Sequence, residues 1–302
     1  MSCKYEFIDA MKAASGEGGE RAEYPVAGMC AWLGVSRSGF YEWRSRPASA
    51  TAARREQLRL LVRHVFEDFD GTYGYRRVHA ELVRGGVQVG PELVRRVMRE
   101  LGLVPCQPRP WRPVTTIAGD AAEVPDLLER DFTATRPGQK LVGDITYLRT
   151  DEGWLYLATA IDCYSKECVG YAMADHMRTD LVIAALDMAA RNGRLEPDAI
   201  FHTDRGCQYT SEAFARHTKK LGVRRSMGRT GVCWDNAQGE TFNAAVKVER
   251  ANRVTYPTRE DARKDVTRYI ELRYNTRRLH SGLGYRTPRE AYNDYINTHT
   301  AA

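Results

Sequence analysis

The sequence predicts an α/β protein: a mixed sheet covered by helices, preceded by an all-α region. Three observations carry this. Between residues 140 and 175 three strand-like runs, "KLVGDITYLRT", "GWLYLATAIDCYS" and "KECVGYAMAD", follow one another across the short turns Asp151-Glu152-Gly153 and Ser165-Lys166. Runs rich in β-branched and aromatic residues at such spacing read as an antiparallel meander. After them, helical and strand patterns alternate, which places helices on the faces of a sheet. Before them, residues 25–104 hold helical patterns only.

Taken in order, residues 1–24 read as a weakly ordered lead-in ending in the Gly-rich "ASGEGGERAE". In "YPVAGMCAWLGVSRSGFYEWRSRP" two short helices meet at "LGVS", where Gly34 ends the first and Ser36 caps the second. This is helix-turn-helix spacing over residues 25–50, with "SRSGFYEW" as the candidate recognition helix and Arg37 as a candidate DNA contact. A helical hairpin that touches no DNA fits the same pattern. Residues 51–113 form a second helical, DNA-binding region with twelve Arg, no Lys and seven acids. Guanidinium forks suit phosphates and base edges, so Arg76 and Arg77 join the candidate contacts. Four prolines in "PCQPRPWRP" break the helical run, and a linker covers 114–134.

The core, 135–255, continues from the meander with the helix "TDLVIAALDMAARNG", capped by Thr179 or Asp180 and stopped by Gly193. "DAIFHTD" is a strand, "SEAFARHTKKLG" a helix, "VRRSMG" a short strand, and "DNAQGETFNAAVKVER" a helix that Asp235 or Asn236 caps. "TREDARKDVTRYIELRYN" and "TPREAYNDYI" make a helical extension over 256–302.

The 302 residues are 43% hydrophobic and 28% charged, a soluble composition, and the net charge of +6 favours a polyanionic partner. No stretch approaches the length of a membrane helix and no secretory leader pattern opens the chain, so a cytoplasmic location is expected and a membrane partner is not. Seven scattered cysteines without a CxxC pair read as reduced, buried thiols rather than a zinc site or disulfides.

The chemistry points to three acids. Asp144 interrupts an apolar strand, where a carboxylate is costly unless something pairs with it. Asp204 ends the fourth strand, and Glu240 lies about one turn into its helix. Strand ends and helix starts converge at a sheet edge. Three carboxylates share such a space when a cation holds them, and hard oxygen ligands suit Mg²⁺ or Mn²⁺. Lys247, seven residues after Glu240, projects from the same helix face. Six basic residues and no acids lie between Arg216 and Arg229; Lys219, Lys220, Arg224 and Arg225 are candidate backbone contacts, or else a solvated face. Asp162 reads as a strand-end acid bonded to the next turn, His202 as a core residue beside the site, and His280 as structural or DNA-contacting.

Thirty-five residues separate Asp204 from Glu240. This D…D(35)E pattern, with a basic residue at plus seven, resembles the transposase and retroviral-integrase superfamily. More closely, the chain is similar to the second-frame (OrfB) product of bacterial insertion sequences of the IS-three family. "YPVAGMCAWLGVSRSGFYEW", "GTYGYRRVHAEL", "RDFTATRPGQKLVGDITYLRTDEGWLYLATAIDCYSKECVGYAM", "FHTDRGCQYTS", "GVCWDNAQGETFNAAVKVE" and "RYNTRRLHSGLGYRTPREAY" carry the resemblance, across roughly residues 25 to 295. The paired His and Cys of the retroviral zinc module are missing. The resemblance implies an RNase H-like (integrase core) fold for 135–255. It implies Asp144, Asp204 and Glu240 as catalytic acids holding two metal ions. It implies a DNA transposase that cleaves transposon ends and joins 3′ ends to target DNA, acting as a homo-oligomer on DNA with an upstream-frame (OrfA) product as a further partner. A nuclease of the same fold that never joins strands, and a non-catalytic DNA-binding regulator, are the rival expectations.

Overall fold

The computed structural model describes residues 2–14, 24–47, 49–106, 124–228 and 236–300. They fall into two compact units, Met1–Arg63 and His64–Ala302.

In the first unit, α2 (Val26–Trp32) and α3 (Arg37–Ser45) form the expected pair. Gly34 takes φ +62°, a left-handed conformation that glycine adopts without steric cost, and Ser36 Oγ accepts the Gly39 N–H at 3.2 Å. The lead-in differs from expectation. Residues Ser2–Ala14 form a helix, α1, whose Tyr5 and Ile8 are buried with Met29, Cys30 and Phe40. Phe7 and Met11 are exposed beside the buried Tyr5 and Ile8, so the apolar residues mark no single clean face and the local pattern understates a helix that tertiary packing supports. Helix α4 follows (Ala50–Asp68).

The second unit is built on a five-stranded sheet in the order β3-β2-β1-β4-β5: β1 (Lys140–Thr150), β2 (Gly153–Asp162), β3 (Cys168–Ala174), β4 (Ile200–Thr203) and β5 (Arg224–Met227). The meander β1–β2–β3 is antiparallel, and β4 and β5 add in parallel. Alternation along the strands sends Val142, Leu148, Leu155, Leu157 and Ile161 to one face, against α10 (Ala237–Glu249) and α11 (Arg259–Arg268). Leu141, Ala158, Ala160 and Phe201 go to the other, against α7 (Thr179–Arg191) and α9 (Glu212–Lys220), with the short α8 (Cys207–Thr210) between β4 and α9. Helices therefore cover both faces. Val124 and Leu128, at the end of the expected linker, are part of these cores; residues 107–123 lie outside the described residues.

Two helix starts differ from expectation. Helix α7 has Arg178 at its N-cap with no side-chain cap, and Asp180 Oδ1 accepts only the next N–H, from Leu181. Asn236 sits at the N-cap of α10 but donates Nδ2 to the Gly143 carbonyl at 3.2 Å, across to β1. Asp235 lies outside the described residues. Gly193 ends α7 at φ +64°, as expected. Asp162 also behaves as expected: its carboxylate accepts Ser165 N–H (2.7 Å), Ser165 Oγ (2.6 Å) and Gly138 N–H (2.8 Å).

Helices α5 (Tyr75–Arg84) and α6 (Pro91–Glu100) belong to this second unit, and the C-terminal segment holds α5 in place. Tyr73 Oη accepts the Leu279 N–H at 2.8 Å, Arg77 Nε donates to the Leu279 carbonyl at 3.0 Å, and Arg84 pairs with Glu290. The centre of the junction is Glu249, near the end of α10 and buried. Arg278 Nε and Nη2 donate to its carboxylate at 2.6–2.9 Å, Tyr269 Oη donates at 2.8 Å, and Arg77 Nη1 stands at 3.7 Å. Burial opposes the Glu249 charge, but these partners outweigh it and hold the carboxyl below its ordinary range. Between α11 and Asn275 the chain makes a π-helical turn, Tyr269–Tyr274. Asn275 then pairs with Cys168 as a strand would, accepting its N–H and donating to its carbonyl, each at 3.0 Å. The terminal α12 (Pro288–Thr300) completes the unit.

No described helix is long and apolar enough to cross a membrane. The described cysteines are free thiols, but Cys3 and Cys207 are exposed rather than buried.

Candidate active site

The parallel β1–β4 ladder has its last rung at Val142 and His202, and β4 itself ends one residue later. Asp144 and Asp204 each lie two residues past that rung, near enough for the Asp204 charge to act on Asp144. From the facing side, α10 closes on the same spot. A Cβ on Gly239 would lie 3.0 Å from Asp144 Cβ, and one on Gly143 would lie 2.3 Å from the Phe201 ring. Glycine at 239 lets α10 approach β1, and glycine at 143 leaves room for the Phe201 ring of β4. Glu240, next to Gly239, stands exposed at the rim, while Asp144 and Asp204 are half-buried.

The charges of the three acids register one another. Burial, then the neighbouring charge of Asp204 and more weakly of Glu240, pushes the Asp144 carboxyl up from 3.8 to about 7. Asn243 Nδ2, at 2.8 Å from Oδ2, and the Ile145 N–H, at 2.9 Å from Oδ1, act in the opposite sense. Burial raises Asp204, opposed by the Gly206 N–H at 3.0 Å. Burial and the Asp204 charge raise Glu240. Lys247 lies on the same helix; burial lowers its ammonium, the Asp144 charge partly restores it, and Nζ sits 4.5 Å from the centre of the Tyr147 ring.

The donor set fits a hard divalent cation: three oxygen-bearing side chains whose mutual repulsion a cation would relieve. Beside them, Tyr209 Oη, Asn236 Oδ1 and Asn243 Oδ1 are buried without a hydrogen-bond partner among the described residues. As the side chains stand, no three of His, Cys, Asp or Glu among the described residues converge closely enough to hold one ion.

The remaining sequence candidates are dispersed. His202 is buried, with Nδ1 2.8 Å from Ser226 Oγ, so it braces β4 against β5. His280 is half-buried beside Arg278 and Tyr274; burial and the charges of Arg278 and Arg77 push it down to about 2, which keeps it neutral. Arg77 is turned inward to Glu249 and Leu279, so of the expected α5 pair it is Arg76 that stands exposed. Arg37, Lys219, Lys220 and Arg224 are exposed and Arg225 is half-exposed. Sequence reasoning missed Asn243, three residues after Glu240 and so on the same helix face, and Tyr209, five after Asp204, whose phenol feels both aspartates.

Comparison with known proteins gives matches along most of the chain. Residues 134–233 and 221–288 match family models described as integrase core domains, and residues 53–111 match one described as an HTH-like domain. The chain is 38% identical over 267 residues to the insertion element IS600 uncharacterized 31 kDa protein of Shigella sonnei, covering 87% of this chain and 98% of that one. It is 37% identical over 292 residues to transposase InsF for insertion sequence IS3A of Escherichia coli K12, covering 96% and 98%. Among solved structures, the catalytic core domain of HTLV-2 integrase in complex with magnesium is similar at 15% identity and TM-score 0.39, over 53% of this chain and 99% of that one.

Proposed function

The chain belongs to the IS3 (IS-three) family of insertion-sequence transposases, polynucleotidyl transferases of the DDE type, and on that premise we propose that Asp144, Asp204 and Glu240 are its three catalytic, metal-binding acids. What supports this reading is that Asp144 and Asp204 lie two residues past the last β1–β4 rung, with Gly239, next to Glu240, packed on Asp144 and the charges of Asp204 and Glu240 acting on it. Two Mg²⁺ or Mn²⁺ ions held by these oxygens would supply the Lewis acidity that phosphoryl transfer to water or to a 3′-hydroxyl requires.

The protein's own part is placement. Asn243 and the Ile145 N–H fix the two oxygens of Asp144, and the Gly206 N–H fixes Asp204. Glu240, in the first turn of α10, would complete the set. Lys247 neutralises the DNA strand beside the scissile phosphate. In-line displacement at phosphorus needs no covalent enzyme intermediate, so no Ser, Tyr or Cys acts as nucleophile. Labelled transposon-end DNA incubated with the full chain and Mg²⁺ should give joined products as well as cleaved ends. Cleaved ends alone would make it a nuclease of the same fold.

Arg37, Arg76, Lys219, Lys220, Arg224 and Arg225 supply phosphate contacts in this reading, and copies of the chain act together on DNA. The double substitution Lys219→Ala with Lys220→Ala should weaken binding to all duplex sequences alike. It should also reduce the slope of log affinity against log salt by about 1 to 2, since each lost phosphate contact removes about 0.9. An unchanged slope would show that these lysines only solvate α9.

A further inference from the structure

Beyond residue 142 the outer edge of β1 has no strand partner among the described residues, and the β1–β2 hairpin runs on past the ladder. On one face of that hairpin end, Tyr147 pairs with Tyr156 and Arg149 with Trp154. Tyr147 and Trp154 are each 48% exposed, and their rings meet edge to face with centroids 5.0 Å apart. Lys247 lies over the Tyr147 ring at 4.5 Å, Arg149 is exposed next to Trp154, and Arg259 Nε donates to the Trp154 carbonyl at 3.1 Å. The Glu152 carboxylate at the turn accepts the Arg259 backbone N–H.

Exposed aromatic faces bordered by cations match one chemistry well. Phosphates answer the cations, but only an unstacked base answers the rings, because paired bases keep their faces inside the duplex. Tyr147 is three residues from Asp144, about 10 Å along the strand, which corresponds to about three nucleotides of a DNA strand; alternation points the two side chains to opposite faces, and Lys247 of α10 reaches round to the Tyr147 ring. We propose that Tyr147 and Trp154, bordered by Lys247 and Arg149, form a stacking platform for an unpaired base of the DNA strand next to the reacting phosphate. This rests on Asp144, Asp204 and Glu240 being the reacting edge, and it adds a substrate subsite to it.

The test uses the full chain in metal-free buffer, so that binding is read apart from chemistry. One probe is a duplex with a short unpaired tail carrying 2-aminopurine; its control is the fully paired duplex of the same sequence. The native chain should prefer the tailed probe and quench its fluorescence. Trp154→Ala should lose about tenfold in affinity for the tailed probe and most of the quenching, with the paired duplex unaffected. Trp154→Phe should retain both, and Tyr147→Ala should repeat the loss if Trp154→Ala folds poorly. Equal losses on both probes, or no quenching by the native chain, would overturn the platform. Glu240→Gln should still quench the tailed probe; if it quenches and then cleaves once Mg²⁺ is added, the acid assignment fails while the platform stands.

Discussion

Glu240→Gln is expected to abolish cleavage and joining, by at least about a thousandfold, while binding of end DNA stays within about twofold. The substitution keeps the size of the side chain and removes the charge that would hold a cation. A companion result should appear in stability. The Asp144 carboxyl is pushed up from 3.8 to about 7, chiefly by burial and by Asp204. In the unfolded chain it titrates normally, so the folded state binds its proton more tightly. The metal-free protein should therefore be most stable below about pH 4 as far as this group is concerned, and should lose that contribution as pH rises to about 7. Asp144→Asn should remove that slope and melt a few degrees higher than the native chain at pH 8. Added Mg²⁺ should raise the native melting temperature more at pH 8 than at pH 5. If melting curves of Asp144→Asn show the native pH slope, the strain at this edge lies elsewhere. Active Glu240→Gln would remove the third acid from the assignment.

Glu249→Gln should be the most destabilising single change outside the sheet core, at about 3–5 kcal/mol, lowering the melting temperature by roughly 10 °C. The reason is what it leaves behind. Arg278 is buried and directs three hydrogen bonds at this carboxylate, and Arg77 adds its charge. Without Glu249 two guanidiniums face each other with no counter-charge. The double variant Glu249→Gln with Arg278→Met should recover part of the loss, because removing both partners is far cheaper than removing one. The native pair should weaken in acid: Glu249 is held below its ordinary value, so its contribution is present at neutral pH and lost as pH falls through that lowered value. A Glu249→Gln chain that melts within a degree of the native one would show that the C-terminal segment is held by other contacts.

The parts of this molecule that were legible in the sequence are those with local signals. The antiparallel meander announced itself through β-branched runs and two short turns, Ser36 through its cap position, and Asp162 through the turn that follows it. Asp144 stood out because a carboxylate interrupts an apolar strand, and its neighbourhood with Asp204 and Glu240 followed from where strand ends and helix starts meet. What escaped has no local signature. Asn236 looks like a cap but bonds across to β1. Arg77 looks like a DNA contact but points inward, because the acid that draws it lies 172 residues away in sequence, at Glu249. The π-turn at Tyr269–Tyr274 depends on packing that the helical pattern of "TRYIELRYN" does not encode. Helix α1 was hidden because its apolar residues lie on exposed as well as buried positions, and the ones that matter, Tyr5 and Ile8, are buried against α2 and α3.

The junction around Glu249 also has a bearing on when the enzyme becomes competent during its synthesis. Tyr73 and Arg77 are made early, yet their partner Leu279 follows 206 residues after Tyr73. At about 5–20 residues per second, α5 waits roughly 10 to 40 seconds for it on the ribosome. The Glu249 carboxylate is made next, and its own guanidinium arrives only 29 residues later. Until then a nascent chain already carries all three acids, but the far end of the helix that bears Glu240 is untethered. The last part of translation thus acts as a timer, and a chain stalled before residue 278 would hold the three proposed acids without the clasp that sets the helix in place.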